Sequence, residues 1–185
     1  MIALMTLRRI VSGAQTGVDL AALDSTREMG LYEWGGWCPK GRLYEEGELP
    51  PEYFGPVQQN CGLREAESSR YTQRTALNVQ DSDATLIMKS GFMTPGTKLT
   101  VKVCRKKTKY YVICDPSKLH HMPRVVKFII EQEVGVLNIA GPRESSRPGI
   151  YKQAKLFMTD VLHMVFQFQQ HGIKIWDPKP PKGKL

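Results

Sequence analysis

Between residues 149 and 170 the apolar side chains Ile150, Ala154, Phe157, Met158, Val161, Leu162, Val165 and Phe168 recur at three- and four-residue intervals. That spacing lines them along one face and predicts a long amphipathic helix. Just before it, "VLNIA" at 136–140 is an unbroken apolar run of strand length. The same couple recurs upstream. "LRRIVS" (7–12) predicts a strand, and 17–29 a helix with Leu20, Leu23 and Met29 available to one face. "ATLIM" (84–88) is followed by a helix at 97–106, and "YYVIC" (110–114) by one at 122–133. Residues 70–83 predict a further helix, packed ahead of the second strand. The stretch 31–64 is rich in Gly, Pro and Trp, follows neither period, and reads as an irregular loop insertion.

Four apolar strands, each handing over to a helix, argue for a mainly parallel sheet covered on both faces, because a parallel connection needs a crossover element. The expected architecture is a Rossmann-like, doubly wound α/β fold. A length of 185 residues suits a single domain. We place that domain at 1–176 and expect "DPKPPKGKL" (177–185), basic and Pro-rich, to be a flexible tail.

In such a sheet the strand-to-helix loops emerge at the carboxyl edge, where ligands bind at the point of strand-order reversal. The segments 13–17, 90–97 and 141–149 should therefore converge on one cleft. Each carries parts of an anion site: glycines that let backbone approach, and the free N–H groups of a helix's first turn. The candidates are Gly13, Gln15, Thr16 and Gly17 in the first loop and Thr94, Gly96 and Thr97 in the second. Gly141, Arg143, Glu144 and Ser145 stand in the last, with Arg147 and Ser146 beside them. Taken singly, each loop has a plainer explanation as a turn and a helix cap. Glu144, between the arginines, suits ligand contact or holding those cations in place. Asp19 suits a contact to a ligand hydroxyl or amino group, or the dipole of the helix it begins. "GGWCPKGR" (35–42) offers Lys40 and Arg42 for phosphates if it folds over the cleft, and a surface loop anchored by Trp37 if it does not. Arg70 and Arg74 share a helical face, as a second phosphate clamp or a salt-bridged surface. Tyr71 and Asn78 stay open in the same way.

The net charge of +8 fits either a nucleic-acid surface or an electropositive pocket. Its distribution favours the pocket: the basic clusters at 102–109 and in the tail lack the interleaved aromatics of a single-strand platform. No run of about 18 apolar residues is present to cross a membrane. The start "MIALMTLRRI" lacks the marks of a secretory signal, so the expectation is a cytoplasmic protein. Cys38, Cys61, Cys104 and Cys114 form no C-x-x-C pair and read as reduced, mostly buried thiols, with no metal site. His120 and His121, adjacent, make a poor chelate. No Walker A loop and no strict G-x-G-x-x-G occurs, so neither ATP nor NAD follows from a motif.

The blocks "SGAQTGVDLAALD" (12–24), "GGWCPKGRLYEEGELP" (35–50), "RYTQRTALNVQDSDATLI" (70–87), "TPGTKLT" (94–100) and "LNIAGPRESSRPGIY" (137–151) resemble the signature blocks of the family named "putative molybdenum carrier". It lies in the circularly permuted branch of the LOG/lysine-decarboxylase-like (SLOG) superfamily. The resemblance implies a Rossmann-like fold binding a nucleotide, a nucleotide-derived ligand or a molybdopterin-like cofactor, and a homo-oligomer. It also implies paired glycines in the first loop, where this chain has Gly13-Ala14. LOG-type phosphoribohydrolases carry a glutamate three positions after their phosphate loop; here that position holds Thr100. The expectation is therefore a binder with no catalytic residue. The alternatives are a nucleotide hydrolase or transferase drawing a carboxylate from Asp19, Asp24, Asp83 or Glu144, or a ligand sensor coupled to a partner protein.

Overall fold

The structure is a computed structural model that describes residues 7–55 and 61–171. Six parallel strands form one sheet: β1 (Arg9–Ser12), β2 (Glu33–Cys38), β5 (Gly62–Glu65), β6 (Ala84–Met88), β7 (Tyr110–Cys114) and β8 (Val136–Ala140). Between β2 and β5 a two-stranded hairpin, β3 (Leu43–Tyr44) and β4 (Gly47–Glu48), stands apart from the sheet. The helices are α1 (Val18–Met29), α2 (Tyr71–Gln80), α3 (Pro95–Lys106), α4 (Met122–Glu131) and α5 (Ile150–His171). This is the Rossmann-like α/β architecture expected from the alternating pattern, in one domain.

Strand order across the sheet is β5-β2-β1-β8-β6-β7. The chain works outward one way from β1 through β2 to β5, returns along α2 to β6, and works outward the other way to β7. It then inserts β8 beside β1. The reversal falls at the centre of the sheet, where the loops after β1, β6 and β8 lie side by side.

Alternation along the strands assigns the two faces. Ile10, Leu86, Leu137 and Ile139 point to one side and join Val18 and Ala22 of α1, Val125 and Ile129 of α4, and Phe157, Val161 and Val165 of α5 in the main core. α2 and α3 pack together on the other side. The face of α5 read from its three- and four-residue spacing is the buried one; only Phe168, near its end, is half-exposed.

The segment 31–64 departs from expectation. It is not an irregular insertion throughout: it supplies two strands of the sheet, β2 and β5, besides the hairpin. "EWGGWC" shows no apolar alternation because its glycines are demanded by close approach. A Cβ on Gly36 would lie 2.2 Å from the carbonyl oxygen of Ser12 and 2.7 Å from Asn78 Oδ1. Asn78 then binds β2 as a neighbouring strand would, accepting from the amide of Trp37 (2.9 Å) and donating to its carbonyl (2.9 Å). The expected tail at 177–185 lies outside the described residues.

Candidate functional site

A cleft of about 310 Å³ opens at the carboxyl edge, between the loops after β1, β6 and β8. The α2 face formed by Tyr71, Arg74, Thr75 and Asn78 closes its remaining side. These four residues fall at helical spacings of three and four, so one helix face supplies a whole wall. Pro95, Leu99 and Ile139 add apolar surface, and Asn138 reaches in from β8.

The cleft is organised around a buried ion pair. Arg74 Nη1 donates to Asp19 Oδ2 at 2.6 Å, the two side chains being 12% and 7% exposed. The amide of Gln15 also reaches Asp19 Oδ2, at 3.4 Å, so one carboxylate ties α2 to the first loop. Burial pushes the Asp19 carboxyl above its ordinary range, against the opposing pull of Arg74 and of the backbone amides of Gln15 and Gly141. Gly13 has a specific reason here. A Cβ at that position would stand 1.3 Å from Arg74 Nη1, so the guanidinium lies where any side chain would be. The alternatives left open for Arg74 resolve into a buried salt bridge at the cleft wall.

Gln15 is 4% exposed and lines the cleft. Its Oε1 accepts from the amides of Thr16 (3.1 Å) and Glu45 (2.8 Å), which fixes the amide orientation. Nε2 is thereby left as a buried donor with no partner among the described residues. An unmet buried donor costs about 1–3 kcal/mol, which a ligand acceptor would recover.

The turn of the β3–β4 hairpin brings in a residue that sequence reasoning missed. The Glu45 carboxylate accepts from the hydroxyls of Thr16 and Ser145 and lies 4.0 Å from Arg143 Nη1. Those hydrogen bonds, Ser145 first and Thr16 next, and the charge of Arg143 hold Glu45 below the usual carboxylate range. The Thr16 hydroxyl in turn accepts from the amide of Glu144 at 3.4 Å, linking the first and last loops. Three groups expected to meet a phosphate are thus gathered around an anion supplied by the chain itself.

The other candidates divide. Thr94 caps α3, its Oγ1 accepting from the amide of Thr97 at 3.3 Å and meeting the Thr97 hydroxyl at 2.9 Å. Thr97 is buried and does not line the cleft, while Thr94 and Gly96 do. Nothing lies within 4 Å of a Cβ built on Gly96, which faces open space. Thr100 also lines the cleft and donates to the Gly96 carbonyl at 3.2 Å. Gly141 lines the cleft, whereas Gly17 packs against the backbone of 142–144. Arg143 lies over the Tyr71 ring, 4.6 Å from its centre, at the mouth. Glu144 turns away: its carboxylate accepts from the amides of Gly149 and Tyr151 (2.9 Å) and caps α5. Arg147 holds the carbonyls of Ser90 (2.9 Å) and Phe92 (3.3 Å), bracing the second loop against the last.

Lys40 and Arg42 are not brought to the cleft. Arg42 pairs with Glu65 at 2.9 Å and lies over the Phe54 ring, and Lys40 is exposed outside the lining. β2 carries "GGWC" into the sheet, so its loop leaves from the flank. Cys38 is buried, which pushes its thiol up to about 11. Among the carboxylates considered as alternatives, Asp83 clamps the amides of Gly135 (2.9 Å) and Val136 (2.7 Å) at the opposite edge. Asp24 binds the hydroxyls of Tyr53 and Tyr151, each at 2.7 Å. The helical spacing of Tyr71, Arg74, Thr75 and Asn78 was a usable signal for the α2 wall. Nothing local marks Glu45, whose role depends on where the hairpin lands.

The circularly permutated YpsA SLOG family model matches residues 10–162. The crystal structure of a protein named putative molybdenum carrier protein, from Syntrophus aciditrophicus SB, is 34% identical. The match covers 86% of this chain and 95% of that one, with a TM-score of 0.70. Among curated proteins none matches. No helix among the described residues is long and apolar enough to cross a membrane. With the expected fold, the carboxyl-edge cleft and a family match over most of its length, the chain belongs to the circularly permuted YpsA branch of the SLOG superfamily.

Proposed function

We propose that the cleft binds a small phosphate-bearing ligand, a nucleotide or a nucleotide-derived or molybdopterin-like molecule, and that the protein acts as its carrier. The observation that carries this reading is the lodging of the Glu45 carboxylate on Thr16, Ser145 and Arg143. Donors that hold a carboxylate suit a phosphate oxyanion as well, and Arg143 adds fixed charge. A ligand phosphate takes the place of Glu45, Gln15 Nε2 gains its acceptor, and Tyr71 offers a ring face at the mouth. The neighbour's name points to molybdenum. What this chain offers such a cargo is recognition of an organic, phosphate-bearing part, since Cys38 is a buried, protonated thiol.

The test is ligand-induced thermal stabilisation across a panel of nucleotides, with native mass spectrometry of gently purified protein to identify any retained molecule. Gly96→Asp and Arg143→Glu should abolish the stabilisation, and Glu45→Gln should increase affinity by removing the competing charge. A stabilisation indifferent to all three substitutions would place the ligand elsewhere.

One observation favours a second reading, hydrolysis of nucleotides. Glu45 supplies at the cleft wall the carboxylate that is lacking at position 100. Incubation with nucleoside monophosphates separates the two: released base, lost in Glu45→Gln although that variant binds more tightly, would establish turnover and overturn the carrier reading.

A further inference from the structure

A second cavity, of about 260 Å³, opens on the sheet face that carries α2, over the first residues of β1, β2 and β8. Its charged lining is Arg8, Arg9, Arg64, Glu33 and Asp81, with Trp37 as an aromatic wall. The parallel register sets Arg9 beside Glu33, and Trp37 beside Arg64. Between them stands Gly35. A Cβ on it would come within 2.9 Å of Arg9 Nη2, so that guanidinium rests over bare backbone.

Two carboxylates, Glu33 and Asp81, share this lining with the three arginines, but neither is in ion-pair contact with them. Among the described residues none of these arginines lies within 4.0 Å of a carboxylate. Arg9 Nε is buried with no hydrogen-bond partner among them. Asp81 is occupied by the Trp37 indole, which donates to it at 2.8 Å, and Arg64 lies 6.0 Å from the centre of that ring. Burial and the positive charge of Arg64 both weaken the hold of Arg9 on its proton, with Glu33 opposing them. Like charges gathered at a concave, partly desolvated surface repel each other more strongly than in open water.

We infer that this cavity is a second anion site, separate from the carboxyl-edge cleft, in which Arg9 and Arg64, with Arg8 at the rim, hold a tetrahedral dianion. The dianion is a phosphate group, free or as the end of a small ester. At about 260 Å³ and open to solvent, the cavity suits a small anion or the phosphate end of a larger molecule. Planar guanidinium forks suit two oxygens of one such group, and a bridging dianion converts the Arg9–Arg64 repulsion into attraction.

The full chain carrying Arg143→Glu, which removes the cation of the cleft, is titrated calorimetrically at low salt with inorganic phosphate and with glycerol phosphate. Binding should persist in that background and fall at least about tenfold when Arg9→Gln or Arg64→Gln is added. In phosphate-free buffer Arg64→Gln, at an exposed position, should melt no lower than the parent, because it removes a repulsion. Tighter binding of the ester would identify the site with an ester's terminal group, and equal binding with the free anion. Phosphate affinity unchanged by both arginine substitutions, or binding lost entirely with Arg143→Glu, would overturn the inference.

Discussion

At the scale of single residues, the cleft depends on a pairing that no local pattern announces. Gly13 looks like a phosphate-loop glycine, yet the atom nearest to its missing side chain is Arg74 Nη1. Gly13→Ala should displace that guanidinium and leave Asp19 buried without its partner, a loss of about 3–5 kcal/mol of stability. Urea unfolding checks the magnitude, and a double-mutant cycle checks the cause: in an Arg74→Gln background the penalty for Gly13→Ala should shrink sharply. A penalty unchanged there would mean that the glycine serves the backbone instead. Ala14, beside it, adopts φ 55°, the left-handed conformation that glycine takes freely. The paired glycines implied by the family resemblance are accounted for by that backbone, and the Ala14 methyl is packed with Leu23 and Cys38. Asp19, Arg74 and Glu144 were visible as charged residues near the right loops. Their partners were not, because a hydrogen bond across 55 residues leaves no trace in spacing.

At the scale of elements, the β3–β4 hairpin decides how the site behaves when empty. Its tip is tethered by one carboxylate and by one backbone amide, that of Glu45 to Gln15 Oε1. The folded-state pKa of Glu45 lies below its ordinary value. The docking stabilisation is therefore fully present above the ordinary glutamate range and is lost as pH falls through the depressed value. A carbon-13 titration of the Glu45 side chain should give a midpoint below the ordinary glutamate value. Ser145→Ala should move it back towards that value, since the Ser145 hydroxyl is the largest cause of the shift. An ordinary midpoint in the unmodified chain would mean that the hairpin does not dock in solution. α5 shows the same economy of charge. Glu144 satisfies the first-turn amide of Tyr151 and that of Gly149 just ahead of the helix, and Glu144→Ala should cost about 0.5–2 kcal/mol in urea unfolding while leaving the cleft lining in place.

At the scale of the whole molecule, ligand binding and stability are linked. On the proposed function, a nucleotide present at about 100 times its Kd should add roughly 2.7 kcal/mol to the folded state. In a chain of this size that raises Tm by about 5–10 °C. Arg143→Glu should remove the shift without lowering the ligand-free Tm appreciably, since this side chain is 38% exposed and its partner Glu45 is a surface group. The sequence alone determined the four apolar strands, their helices, the parallel α/β class and the three loops at one edge, because periodicity and run length are local consequences of burial. It placed Gly13, Gln15, Asp19, Thr94, Gly96, Gly141, Arg143 and Ser145 around one cleft for the same reason. Only the tertiary structure decided that 31–64 contributes two more strands, since glycines chosen for close packing carry no hydrophobic signal. It alone set Lys40 and Arg42 aside, brought α2 in as a wall and lodged Glu45 among Thr16, Ser145 and Arg143. Those outcomes depend on contacts between segments distant along the chain, whose geometry is fixed by packing and not by the pattern within any one of them.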